Sequence, residues 1–151
     1  MIGDDLLAAL REAEGFSTVP YLCPAGRWTN GYGNTHGVTA DSPPVSRDEA
    51  EAALRAEATK MEAAVLKVCP MLIGEPQARV DAMVDFAYNF GPNKVVGTTL
   101  AKRIAERDWQ GAAAQLRRWV YATVDGKPQR LPGLVTRRER AARWMATGRY
   151  A

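Results

Sequence analysis

An apolar segment of helical period, Ile2 to Ala13, runs into Glu14 and stops at Gly15, the residue type best suited to the position just past a helix end. This predicts a first helix closed by Glu14. The period is then lost. Between residues 16 and 39, Pro20, Pro24, Gly26, Gly31, Gly33 and Gly37 punctuate short runs of Val, Tyr, Leu, Trp and Thr, with Asn30-Gly31 as a turn signal. That pattern predicts a small hairpin lobe over about residues 16–45, with Asp41-Ser42-Pro43-Pro44 as a loop. Ser46-x-x-Glu49 forms a capping box, and Ala50, Leu54, Met61, Val65 and Val68 continue one helical face until Pro70.

Downstream the pattern is helical. Pro76 suits a first helical position, Val80, Met83, Val84, Ala87 and Tyr88 form an apolar face, and Gly91-Pro92 ends it. Shorter helices are expected around 98–106 and 108–119, and then a loop marked by Gly126, Pro128, Pro132 and Gly133. Thr136-x-x-Glu139 reads as a second capping box opening the last helix, and Gly148 as its stop. Trp109, Trp119 and Trp144 fall in helical segments and are expected in the core. The fold class is α+β, mainly α, with a polymer-sized groove expected between a small β-lobe and a helical lobe of about residues 70–151 plus the N-terminal helix.

With 151 residues and 46% hydrophobic content, the chain suits one compact domain, 1–151, because roughly 68–70% of the unfolded surface can be buried at this length. Asp4, Asp5 and Arg11 interrupt the first apolar stretch, so neither a membrane span nor an export signal is expected there. Two cysteines and a single histidine, His36, match no metal-ligand spacing, so no metal and no cofactor are expected. His36 would have to carry any serine-protease triad, and without a nucleophile elbow it reads as a polar turn residue. The net charge of +3 hides an asymmetry. Residues 1–62 hold five Lys/Arg against ten Asp/Glu, and residues 63–151 hold fifteen against seven. Arg117, Arg118, Arg130, Arg137, Arg138, Arg140, Arg143 and Arg149 could form a patch for polyanions such as cell-wall polymers. Without a recognition helix or an aromatic-interleaved basic sheet, no nucleic-acid function is expected.

The chemistry concentrates at Glu14, Cys23 and Thr29, a carboxylic acid, a thiol and a hydroxyl at fixed short spacing. A carboxylate at a helix C-terminus faces the negative end of the macrodipole, and burial beside Phe16 or Tyr21 would add desolvation. Both push its pKa upward, which suits a general acid. Glu14, Cys23 and Thr29, followed by Gly31-Tyr32-Gly33, resemble the catalytic signature of phage-type lysozymes, glycoside hydrolase family 24. Asp85-Phe86-Ala87-Tyr88-Asn89-Phe90-Gly91, Thr98-Thr99-Leu100 and Leu131-Pro132-Gly133-Leu134-Val135-Thr136-Arg137-Arg138 resemble further segments of that family in the same order, so the likeness covers nearly the whole chain.

The resemblance implies a lysozyme-like fold in which the long helix after Ser46 links the lobes. It also implies a muramidase acting on the β-1,4 bond between N-acetylmuramic acid and N-acetylglucosamine in peptidoglycan. Cleavage needs an acid for the leaving oxygen, the role Glu14 fits, and a second group that supplies a nucleophile at the anomeric carbon. Arg137 matches the family's arginine that pairs with this acid, and such a pair would lower the pKa that burial and the dipole raise. Which effect wins is open from sequence. Cys23 stands where many members carry Asp. A free thiol, with a pKa of about 8.5, is mostly neutral at pH 7 unless its thiolate is stabilised, and Arg27 is the nearby cation for this. Cys23 could act on water, on sugar charge or as a nucleophile; the blander readings are a buried thiol or a disulfide with Cys69.

Thr29 suits holding the attacking water. Tyr32, Asn34, Asp85, Tyr88 and Asn89 are candidate groove residues, since amides and carboxylates bind hydroxyl and acetamido groups and aromatic faces pack on sugar rings; Tyr88 is equally a core candidate. The family implies a monomer that waits in the host cytoplasm, lacking a signal or anchor, until a holin-type membrane pore gives it access to the wall. A catalytically inactive wall-binding protein and a transglycosylase or chitinase-like enzyme are the rivals.

Overall fold

The computed structural model describes residues 1–151 and is built of six α-helices and two short antiparallel hairpins. Helix α1, Asp4–Glu14, ends as expected at Gly15, whose φ of 67° is favourable only for glycine. Strands β1 (Ser17–Leu22) and β2 (Trp28–Gly31) pair with Tyr21 opposite Thr29 and Leu22 opposite Trp28, with an irregularity between Ser17 and Tyr21. Asn30 then bridges Asn34, so the chain reverses at Tyr32-Gly33 and Asn30-Gly31 closes the strand.

Helix α2, Arg47–Val68, carries the full capping box: the Glu49 N–H donates to the Ser46 hydroxyl and the Ser46 N–H donates to the Glu49 carboxylate, both at 3.0 Å. At 22 residues it spans about 33 Å, long enough to run from the β-lobe into the helical lobe. Pro70 stops it and opens a single 3-10 turn, Pro70–Leu72. Helix α3, Gln77–Phe90, is the central element. The apolar face read from the sequence is only part of its buried surface, because every residue from Val80 to Ala87 is buried, including Asp81 and Asp85. Pro76 sits one residue before this helix, at its N-cap, and Gly91 ends it. Helices α4 (Thr99–Ala105) and α5 (Trp109–Leu116) follow, capped by the Thr98 hydroxyl and the Asp108 carboxylate.

Two expectations fail in the C-terminal third. The segment marked by Gly126 and Pro128 is a second hairpin, β3 (Tyr121–Val124) with β4 (Lys127–Arg130), turning through Asp125-Gly126. Both turn residues have positive φ, 52° and 77°, the requirement of the tight hairpin turn that Asp-Gly favours. The last helix, α6, runs Pro132–Thr147 and therefore starts before Thr136. Pro132 takes the first helical position, which needs no N–H donor. Thr136 sits inside the helix, donating to the Pro132 carbonyl at 3.2 Å, and Glu139 pairs with Arg117 at 2.8 Å.

α3 packs against α2 and α6, α5 packs on α6, and one cluster of 28 buried residues runs from Leu6 of α1 to Met145 of α6. Trp144 is buried, and Trp109 and Trp119 pack against the cluster as expected. The expected basic patch is halved, with Arg118, Arg130, Arg143 and Arg149 left exposed. Arg138 is wholly buried and Arg137 nearly so, while Arg117 pairs with Glu139 and Arg140 with Glu12.

Candidate active site

α1 delivers Glu14 at its last turn, against the reversal that follows β2. A Cβ at Gly33 would lie 2.5 Å from Glu14 Oε2, so only glycine there leaves room for the carboxyl group. Glu14 is half-buried and its pKa is raised. Burial is the main cause, the Arg137 guanidinium opposes it, and the Asp85 carboxylate adds to it. The question left open by the sequence is thus decided by burial. Arg137 acts on Glu14 through space: the two form no ion pair, and Arg137 is bound through Nε to Asp85 Oδ1 at 3.0 Å.

Cys23 and Thr29 come together at the turn end of the β1–β2 hairpin, where the Cys23 N–H donates to the Arg27 carbonyl at 2.9 Å. Thr29, on β2, is only 3% exposed, and its hydroxyl donates to the Arg27 carbonyl at 2.9 Å. Cys23 is a free thiol, partly exposed, with its pKa held below the ordinary thiol range. The backbone N–H of Arg27 is the first cause and the Thr29 hydroxyl the second, partly offset by burial. The expectation that Arg27 helps through its side-chain cation is therefore revised: its peptide group is the donor. The single Thr29 proton cannot serve the Arg27 carbonyl and the sulfur at once. A hydroxyl can turn about its C–O bond, so the same group is able to donate to a Cys23 thiolate. Cys69, at the C-terminal end of α2, is buried, and desolvation pushes its pKa up to about 11.

A cleft of about 160 Å³ lies between the Tyr32–His36 segment, α2 and Tyr88 of α3; Glu14, Cys23 and Thr29 do not line it, and it meets Glu14 through Gly33, against which the carboxyl packs. Its floor includes Leu54 and Met61, and its rim Asn34, His36, Glu57 and Tyr88. The Tyr32 hydroxyl accepts from Arg47 at 3.3 Å, and its ring packs 5.2 Å from that of Phe16. Asn34 donates to Asn30 Oδ1 at 3.5 Å and accepts from the His36 N–H at 3.3 Å. Burial raises the pKa of Tyr88, and the Glu14 and Glu57 charges add to the effect, so its phenol stays protonated. His36 does more than fill a turn, since its Nε2 lies 3.2 Å from Glu57 Oε2 and ties the β-lobe to α2.

Of the two residues expected on the groove wall, Asp85 is buried behind it, and Asn89 is half-buried on a separate cleft beside Phe90 and Trp119. Asp85 is 1% exposed with both oxygens taken by guanidinium groups, and the Asn89 carbonyl accepts from Arg138 Nη2. Sequence reasoning missed Glu57 and the hold that Arg138 has on Asp85 and Asn89 from inside the core. Glu57 neighbours the apolar stripe of α2 but carries no motif, and Arg138 was grouped with solvated arginines because its partner lies 53 residues away.

A match to the family described as phage lysozyme runs over residues 11–141. The chain belongs to that family. Among its relatives is an endolysin of Acyrthosiphon pisum secondary endosymbiont phage 1, 33% identical over 138 residues and covering 91% of this chain and 92% of the relative. Two solved phage endolysins share the fold at 28% identity over 97% of this chain. The endolysin of Escherichia coli O157:H7 phage FAHEc1 has a TM-score of 0.84 with 93% of its own chain covered, and the active form of the P1 phage endolysin Lyz has 0.83 with 85% covered. The muramidase domain of SpmX from Asticaccaulis excentricus, 25% identical, also reaches 0.83 with 97% of each chain covered.

Proposed function

We propose that this chain is an endolysin, a peptidoglycan hydrolase that cleaves the β-1,4 bond between N-acetylmuramic acid and N-acetylglucosamine and so lyses bacterial cells. The observation that carries this reading is a half-buried carboxyl of raised pKa at the end of α1, packed against Gly33 just after a hairpin that carries a thiol–hydroxyl pair, within a family match over residues 11–141.

Glu14 protonates the leaving glycosidic oxygen. Water, oriented by Thr29 and Cys23, adds its oxygen to the anomeric carbon as the bond breaks, and its proton passes to the Cys23 thiolate. The N–H donors that favour the thiolate fit a weak base in place of a carboxylate. Tyr32, Asn34 and Tyr88 hold the saccharide along the cleft. Arg137, with Asp85 and Asn89 behind it, supports the acid. No helix is long and apolar enough to cross a membrane, and we infer that a holin-type pore gives the monomeric enzyme access from the host cytoplasm to the wall.

The test is a turbidity assay on permeabilised bacteria with wild type, Glu14→Gln and Cys23→Ser, combined with end-group analysis of the products. Hydrolysis creates reducing sugar ends. A 1,6-anhydro end would make the enzyme a transglycosylase, and intact glycan would leave a binding protein.

A further inference from the structure

The contacts behind Glu14 form a chain with one gap. Asp85, deep in α3, accepts from Arg137 Nε at 3.0 Å and from Arg138 Nη1 at 2.9 Å. Arg138 is fixed in turn, donating through Nε to the Trp119 carbonyl at 3.2 Å and through Nη2 to Asn89, with its guanidinium 4.8 Å from the Phe90 ring centroid. Neither Asp85 nor Arg138 has solvent access. Arg137 is held at one end only. Its Nη2 is buried without a hydrogen-bond partner, the only such side-chain nitrogen or oxygen in the structure. An unpaired buried donor costs on the order of 1–3 kcal/mol, so its retention needs a reason.

We propose that Asp85 is a positioning residue that acts on Glu14 through Arg137. By anchoring Nε it fixes the guanidinium beside the acid but out of contact, and keeps Nη2 in reserve for the carboxylate that forms when Glu14 gives up its proton. A guanidinium already bound to Glu14 would favour the ionised form before reaction and blunt the acid. A guanidinium free to leave would abandon the new carboxylate. A donor placed in advance where charge develops serves the transition state without later reorganisation. The inference rests on the reading of Glu14 as the acid.

The charged and titratable groups around Glu14 are Asp85 and Tyr88 of α3, Arg137 of α6, with Arg138 behind Asp85, the Arg140–Glu12 pair beside the end of α1, and Glu57 of α2 beyond Tyr88. Of these, Arg137 and Asp85 act on Glu14 with opposite signs, which gives opposite expected shifts. Asp85→Asn removes a negative neighbour and releases Arg137 toward the acid, so the Glu14 titration and the alkaline limb of the activity profile move to lower pH by at least about half a unit. Arg137→Gln moves both to higher pH. Asp85→Glu keeps the charge and restores much of the wild-type profile.

Carbon-13 NMR titration of the Glu14 carboxyl reads the shift without substrate, so a failure of the hydrolase reading is distinguishable from a failure of this one. Because Asp85→Asn leaves Arg138 buried without its counter-charge, Asp85→Asn/Arg138→Gln, which removes one charge of each sign, is measured beside it. An unmoved Glu14 titration in whichever of these two variants folds would overturn the proposal, as would shifts of the same sign for the Asp85 and Arg137 variants.

Discussion

At Glu14 catalysis and stability pull in opposite directions. The folded protein holds this carboxyl at a raised pKa, so it binds the proton more tightly than the unfolded chain does. The folded state is therefore favoured below the ordinary carboxylate pKa, and that contribution is lost as pH rises through the folded value. Glu14→Gln is expected to lower lytic activity by about 10²–10⁴-fold, because the amide has no proton to deliver. The same variant should melt above wild type at pH 7–8, with the difference closing toward pH 4; a Tm gap independent of pH would show that no ionised carboxylate is being held against its preference. The two cysteines divide in the same manner. Iodoacetamide is expected to modify Cys23 and to inactivate the enzyme, while Cys69, buried with its pKa near 11, resists until the protein unfolds. Peptide mapping after partial alkylation checks this, and full activity with Cys23 modified would remove it from the mechanism. The short-range part of this site was legible in the chain because Glu14-Gly15, Cys23 and Thr29 lie within one helix end and one hairpin. The work of Asp85 was not, since its partners lie 52 and 53 residues away and its residue type equally fits a sugar-binding carboxylate.

At the scale of elements, local signals held where the side chain had a free helix end to satisfy and failed where another residue had already taken that end. Ser46 and Glu49 sit at the true start of α2 and make both bonds of the box. Thr136 and Glu139 have the same spacing, but Pro132 starts α6 a turn earlier and leaves Thr136 in the helix interior. Substitution separates the two cases. Ser46→Ala is expected to cost about 1 kcal/mol in urea unfolding, the usual loss for an N-cap hydroxyl. Thr136→Ala should stay within about 0.5 kcal/mol of wild type, because alanine is the better interior helix residue. A cost at Thr136 equal to that at Ser46 would place a cap there after all. The Ser46 box also has a pH signature. The Ser46 backbone N–H, then its hydroxyl, holds the Glu49 pKa below the ordinary value, so the support present at neutral pH fades as pH falls through the lowered value. The gap between Ser46→Ala and wild type should accordingly narrow in acid. The β3–β4 hairpin was missed for a different reason. Pro128 and the polar, exposed residues of β4 conceal a strand with no core face, and only Asp125-Gly126 advertised it.

Across the whole molecule, α3 ties the fold together through two buried carboxylates spaced one turn apart. Asp85 holds α6, while Asp81 holds both ends of the chain: its Oδ2 accepts from the Gly3 N–H at 2.9 Å and the Tyr150 hydroxyl at 2.5 Å, and its Oδ1 from Gln77 at 2.8 Å. The Tyr150 ring packs edge-on to Trp144, 5.2 Å between centroids, so the last residues of the chain close over the start of α1. Burial raises the pKa of Asp81, with the Tyr150, Gln77 and Gly3 donors opposing it in that order. Tyr150→Phe keeps the ring and removes the first of these donors. The ionised carboxylate is then less well satisfied, and a destabilisation of about 1–3 kcal/mol is expected in urea unfolding at pH 7. The sign with pH follows from the raised value: protonation relieves the burial cost, so the penalty of Tyr150→Phe should shrink as pH falls toward 4 and Asp81 takes up its proton. Lysis measured well below the melting temperature should be unchanged, because the clasp secures the N-terminal end of α1 whereas Glu14 is fixed at the other end by Gly33 and the field of Arg137. A Tyr150→Phe enzyme that keeps its stability but loses lysis would reverse this assignment and make the terminal clasp part of the machinery that sets Glu14.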